Sequence, residues 1–139
     1  MTDLLIGGLP LPPALIALIR AGRWVPPPCE RVYLDVFGAE PDHPYFYDLP
    51  DMKRQNEFWQ RSGTEDVYGS PVEGRSVGIE PSLSIVIGDL GPDMPIALDY
   101  RATSTVPRVL HLRFSGSPEW VHIASSVEEL ISRLYGDDP

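Results

Sequence analysis

The 139-residue chain is 42% hydrophobic and 22% charged, a balance that excludes a disordered tail and gives enough chain for one domain with its own core. Its 20 acidic residues outnumber 11 basic ones for a formal net charge of −9, and Lys53 is the one lysine, so the phosphate-neutralising surface of a nucleic-acid binder is missing. The one cysteine, Cys29, excludes an intrachain disulfide, and no run reaches the ~20 apolar residues of a bilayer span.

The start, residues 1–19, is apolar, but Asp3 stands where a signal peptide has its positive region, and Pro10, Pro12 and Pro13 break the run. A cytoplasmic protein that does not engage membranes is expected. A first helix is predicted over 12–21: Pro12 and Pro13 suit its opening turn, Leu11, Leu15, Leu18 and Ile19 recur at helical spacing, and Gly22 stops it. Residues 31–37 read as a strand, with Val32, Leu34 and Val36 on one face and Tyr33 and Asp35 on the other. After a loop over 38–50, a second helix is predicted at 51–61, capped by Asp48 or Asp51, with Met52, Phe58 and Trp59 on its buried side. Residues 62–82 have loop composition, with a short strand around Val77 and Ile79.

The last third is the most regular. Residues 83–88 and 95–100 are β-rich runs joined by a turn at Gly88, Gly91 and Pro92. Residues 108–114 alternate: Leu110, Leu112 and Phe114 are expected to point inward, and Arg108, Val109, His111 and Arg113 outward. A strand at 120–123 has Val121 and Ile123 inward. A closing helix at 126–135 carries two candidate capping boxes, Ser125 with Glu128 and Ser126 with Glu129. Its stripe of Val127, Leu130, Ile131 and Leu134 fits against a sheet. The predicted fold is α+β: one domain with a mainly antiparallel sheet, an N-terminal helix and a C-terminal helix packed on the sheet.

Few constellations suggest chemistry. Asp89, Asp93 and Asp99 flank one turn and its second strand; gathered together they would suit a divalent cation and metal-dependent hydrolysis with Arg101 as the basic partner. The competing reading is structural: turn carboxylates bond to nearby amides, and Asp99 pairs with Arg101. His43, His111 and His122 lack zinc-site spacing, although His111 and His122 fall on neighbouring strands and are both placed outward. No histidine lies near Cys29 in sequence to activate it, and no nucleophile elbow, dinucleotide fingerprint or P-loop occurs. No catalytic residue, metal or cofactor is assigned. Trp120 reads as a core residue before an interface anchor.

The segments Ile85-Val86-Ile87-Gly88-Asp89-Leu90-Gly91 and Pro95-Ile96-Ala97-Leu98-Asp99-Tyr100-Arg101 resemble the central part of SUKH proteins. The ending from Trp120 through Ser126 to Ile131, and the opening Leu9-Pro10, Leu15, Leu18-Ile19, are similar to that family's close and first helix. Residues 9–24 and 83–134 carry the resemblance; at 21–24, Ala-Gly-Arg-Trp stands where many members have an Asn-Gly-Gly turn. The resemblance implies a non-catalytic domain, in bacteria typically an immunity protein that neutralises a polymorphic toxin of nuclease or deaminase type, and in a fungal relative a regulator of cell-wall synthesis. Gly88, Asp89, Asp99 and Trp120 are then structural motif positions. The acidic balance fits capture of a basic toxin domain. Glu65, Asp66, Tyr68 and Glu73, in the long irregular stretch, are the expected partner-binding residues. A regulatory or scaffold role on the same fold is the alternative.

Overall fold

A computed structural model describes residues 4–61, 81–91, 94–103, 105–114 and 118–136. The chain opens with a two-stranded hairpin, β1 (Leu5–Ile6) and β2 (Leu9–Pro10). Gly7 and Gly8 at its tip both have positive φ, as the tightest hairpin turns require. Helix α1 (Pro13–Arg20) follows. It ends in a Schellman motif: the Arg23 N–H reaches the Leu18 carbonyl, and the N–H of Gly22, at φ 70°, reaches that of Ile19.

The segment expected to be a strand at 31–37 is instead helix α2 (Glu30–Phe37). Its buried residues are Tyr33, Val36 and Phe37, the i, i+3, i+4 set of one helical face, while Leu34 is 49% exposed. Glu30 favours the helix start, and Gly38 closes the helix in the left-handed region. After β3 (Tyr45–Phe46) comes α3 (Leu49–Trp59), capped by Asp48, whose Oδ1 accepts from the Asp51 N–H. Met52 and Trp59 are buried as expected; Phe58 is not, at 70% exposure.

The remaining strands are β4 (Ser84–Asp89), β5 (Pro95–Asp99), β6 (Arg108–Phe114) and β7 (Pro118–Ala124). They form an antiparallel meander in the order β3-β4-β5-β6-β7. Helix α4 (Val127–Tyr135) closes the chain. It uses the second capping box: Ser126 Oγ accepts from the Glu129 N–H, and Glu129 Oε1 accepts from the Ser125 N–H. The architecture is α+β.

Both faces of the sheet are covered, which corrects the outward placement of Val109 and His111: both are fully buried, and Phe37 of α2 lies edge-on to the His111 ring at 5.3 Å. Trp120 is buried against Trp59 of α3, ring centroids 5.9 Å apart. Leu110 and Leu112 are buried as expected, and Val121 is half-buried. The side chains of Arg113 and Phe114, and the strand expected near Val77 and Ile79, lie outside the described residues.

Two register irregularities shape the sheet. Ile87 is the extra residue of β4 against β5, and Ile123 is that of β7 against β6. A bulged residue loses its place in the ladder and needs other partners. The Ile87 carbonyl accepts from Trp24 Nε1 at 3.3 Å and from the Tyr47 N–H at 3.1 Å, and the Ile123 carbonyl accepts from Arg133 Nη1 at 2.5 Å. β3 pairs only with the last two residues of β4, Gly88 and Asp89. The earlier edge of β4 is satisfied by side chains of α3 and of its C-cap, Gln60. Asn56 Nδ2 donates to the Val86 carbonyl at 2.9 Å, its Oδ1 accepts from the Val86 N–H at 2.8 Å, and Gln60 Nε2 donates to the Ser84 carbonyl. The carboxamide of Asn56 thus stands in for the peptide group of a missing strand.

Candidate functional site

The two described carboxylates of the Asp89, Asp93 and Asp99 group are held apart by the ladder. Asp89 pairs with Pro95 and Asp99 with Ser84, so they occupy opposite ends of β4–β5, about 13–17 Å apart at ~3.4 Å per residue. No metal ion bridges that distance, which removes the hydrolase built on Asp89 with Asp99; Asp93 lies outside the described residues. Among the described residues no group of three or more His, Cys, Asp or Glu side chains converges in a metal-binding arrangement. His111 pairs with Val121 and His122 with Leu110, so the two histidines sit on opposite faces of the ladder.

The Asp99 side chain is fully buried, and it accepts from Arg101 Nε at 2.9 Å, Arg101 Nη2 at 3.0 Å and Arg108 Nε at 2.7 Å. Burial pushes its carboxyl up, but the hydrogen bonds from Arg101 and Arg108 and the charge of Arg101 outweigh that and hold it below the usual carboxylate range. Arg101 is therefore engaged by Asp99, as the structural reading expected.

Asp89 is different. It is half-buried, directly across the ladder from Tyr45, and its Oδ2 accepts from the Tyr47 hydroxyl at 3.0 Å. Burial pushes its carboxyl up, opposed by hydrogen bonds from Tyr47 and the Gly91 backbone. Among the described residues no Arg, Lys or His forms an ion pair with it. Tyr45 is 45% exposed, and its ring meets that of Tyr47 edge-on at 5.2 Å. The glycines of the 85–91 segment make this corner possible. A Cβ at Gly88 would come within 2.9 Å of the Tyr45 carbonyl oxygen, and one at Gly91 within 2.8 Å of that of Asp42, so the 42–46 segment packs backbone to backbone on the end of β4. The absent side chain at Gly88 is thus what lets the 42–46 backbone approach. Tyr45 and Tyr47 carried no signal for this in sequence beyond being aromatic in a loop.

Cys29 is exposed at the N-cap of α2. The open groove of about 460 Å³ beside it is lined by Arg23, Val25, the three following prolines, Val32 and Tyr135 among others, with no histidine or carboxylate, so no general base stands beside the thiol there. The expected partner-binding residues Glu65, Asp66, Tyr68 and Glu73 lie outside the described residues. No helix among the described residues is long and apolar enough to cross a membrane.

No curated protein and no solved structure matches the chain. A family model, described as the SMI1 / KNR4 family (SUKH-1), matches residues 4–133. That span holds the opening hairpin, the whole meander, the Asp89 corner and most of α4, and so the chain belongs to the SMI1 / KNR4 family (SUKH-1).

Proposed function

We propose that the protein is a non-catalytic binding domain that acts as an immunity protein, capturing and neutralising a basic toxin domain of nuclease or deaminase type. The observation that carries this reading is membership of the SUKH-1 family in a chain of net charge −9 with one lysine. Toxins that act on nucleic acid need cationic surfaces, and an acidic blocker meets such a surface with a favourable long-range field. The separation of Asp89 from Asp99 supports the non-catalytic part of the proposal. Glu65, Asp66, Tyr68 and Glu73 are proposed as part of the contact surface, the acids steering and Tyr68 anchoring.

The test is co-expression with basic nuclease- and deaminase-type toxin domains, taken first from any such gene found beside this chain's own. Restored growth together with a one-to-one complex in calorimetry is the expected result. Continued toxicity with no measurable complex overturns the immunity reading. A stable complex with a non-toxic resident protein instead favours the regulatory or scaffold role.

A further inference from the structure

Two carboxylates of the sheet have opposite charge environments. Asp99 is answered within the chain by two guanidinium groups. Asp89 is half-buried, and among the described residues the groups that hydrogen-bond it, the Tyr47 hydroxyl and the Gly91 backbone, are neutral. A partly desolvated carboxylate without a counter-charge attracts a cation more strongly than one in bulk water does.

The surroundings select the cation. Tyr45 stands directly opposite Asp89 in the ladder, which places their Cβ atoms about 5 Å apart on one face. Its exposed ring, braced edge-on by Tyr47, offers an aromatic surface beside the carboxylate. Asp42, 70% exposed, lies on the rim, its N–H bonded to the Leu90 carbonyl. We propose that this corner of Tyr45, Tyr47 and Asp89 is a receptor for an arginine side chain projected by a protein partner. The inference rests on the binding function proposed above and deepens it by naming a surface and the group it receives.

Arginine fits better than the alternatives. Its planar guanidinium stacks on a tyrosine ring while its fork bonds a carboxylate, and a lysine ammonium does only the second well. A divalent metal wants six or more oxygen ligands, and Asp89 offers two, one already accepting from Tyr47. The corner is set in advance of binding: the backbone contact at Gly88 holds Tyr45 next to Asp89, so little ordering is left for the partner to impose.

The experiment is a ¹H–¹⁵N NMR titration of the full chain with acetyl-Gly-Arg-Gly-amide, and with the same peptide carrying lysine or citrulline. The arginine peptide is expected to give saturable shifts centred on the amides of Tyr45, Tyr47, Asp89 and Gly91. Affinity falls on the order of tenfold or more with citrulline, and similarly in Tyr45→Ala or Asp89→Asn, while Tyr45→Phe retains it. Tyr45 is largely outside the core, so its replacement leaves the fold intact, and the citrulline control needs no variant. Equal responses to arginine and citrulline, shifts centred elsewhere, or full affinity in Tyr45→Ala overturn the proposal. The two readings separate cleanly. A toxin complex equally tight in wild type, Tyr45→Ala and Asp89→Asn sinks the corner and leaves the immunity function standing. A corner that binds the arginine peptide in a chain that binds no toxin does the reverse.

Discussion

Replacing Asn56 by alanine tests how the sheet edge is closed. Asn56 is 1% exposed and Val86 is 5% exposed, so water is not at hand to replace lost hydrogen bonds. Three bonds vanish in Asn56→Ala: to the Val86 carbonyl, from the Val86 N–H, and to the Met52 carbonyl. The Met52 carbonyl is also in position to accept within the helix, so the main cost is two orphaned backbone groups on Val86. At about 1–3 kcal/mol for each buried group left unsatisfied, the variant loses about 2–6 kcal/mol. That is a large share of a typical stability of ~5–15 kcal/mol, and for a chain of this size it lowers Tm by about 7–20 °C. Urea unfolding should show a lower midpoint with an unchanged slope, and hydrogen exchange should show the Val86 amide losing its protection. Asn56→Asp sharpens the test. It keeps an acceptor for the Val86 N–H but turns a carboxylate oxygen toward the Val86 carbonyl, so it is at least as damaging at neutral pH and partly recovers once the acid protonates and can donate. An Asn56→Ala protein within about 1 kcal/mol of wild type, with Val86 still protected, would refute the idea that this carboxamide replaces a strand.

Leu130 is fully buried on α4, so Leu130→Ala should cost about 2–5 kcal/mol in urea unfolding, and Leu130→Asp should cost more; an unchanged melting temperature removes the helix from its place on the sheet. The two carboxylates should give pH dependences of opposite sign. Asp99 is held below its ordinary range in the folded state, so its contribution is present above about pH 4 and is lost as pH falls through the folded value; Asp99→Asn should therefore flatten the acid limb of the stability curve. Asp89 is held above its ordinary range, so its contribution is full below about pH 4 and is lost as pH rises through the folded value; Asp89→Asn should compare more favourably with wild type at pH 7 than at pH 3, and slopes of the same sign would refute the assignment. For the toxin complex, stopped-flow association should slow as salt rises while dissociation changes less; an association rate flat in salt leaves the charge of −9 as a solubility feature.

What the sequence makes legible depends on how far apart the deciding residues lie. Helix α4 is readable because its cap, Ser126 to Glu129, and its apolar stripe fall within single turns. The meander is readable because strand alternation and turn glycines are equally local. Helix α2 is the instructive failure. Over eight residues, Val32, Leu34 and Val36 satisfy a period of two, while Tyr33, Val36 and Phe37 satisfy the helical spacing, and periodicity cannot separate these in so short a run. The deciding signals were at the ends: Glu30 favours a helix start, and Gly38 is the residue a left-handed stop asks for. The outward placement of His111 failed for another reason. Alternation says which residues share a face, but whether a face is wet depends on where α2 comes to rest, and Phe37 meets His111 across 74 positions of chain.

The candidate corner shows the same limit at the level of function. Gly88, Asp89 and Gly91 stand out in sequence, but a Gly-flanked aspartate suits a metal loop, a turn and a binding corner alike. Three relations separate these uses, and each is long-range. Asp99 is ten residues along the chain yet at the opposite end of the ladder, which excludes a shared metal. The Tyr45 carbonyl approaches Gly88 too closely for a side chain, which gives the glycine a packing role. Tyr47, 42 residues before Asp89, supplies its hydroxyl to the carboxylate, which keeps Asp89 oriented without neutralising it. A motif here fixes the path of the backbone, and the chemistry of its aspartate is set by which distant side chains that path brings alongside.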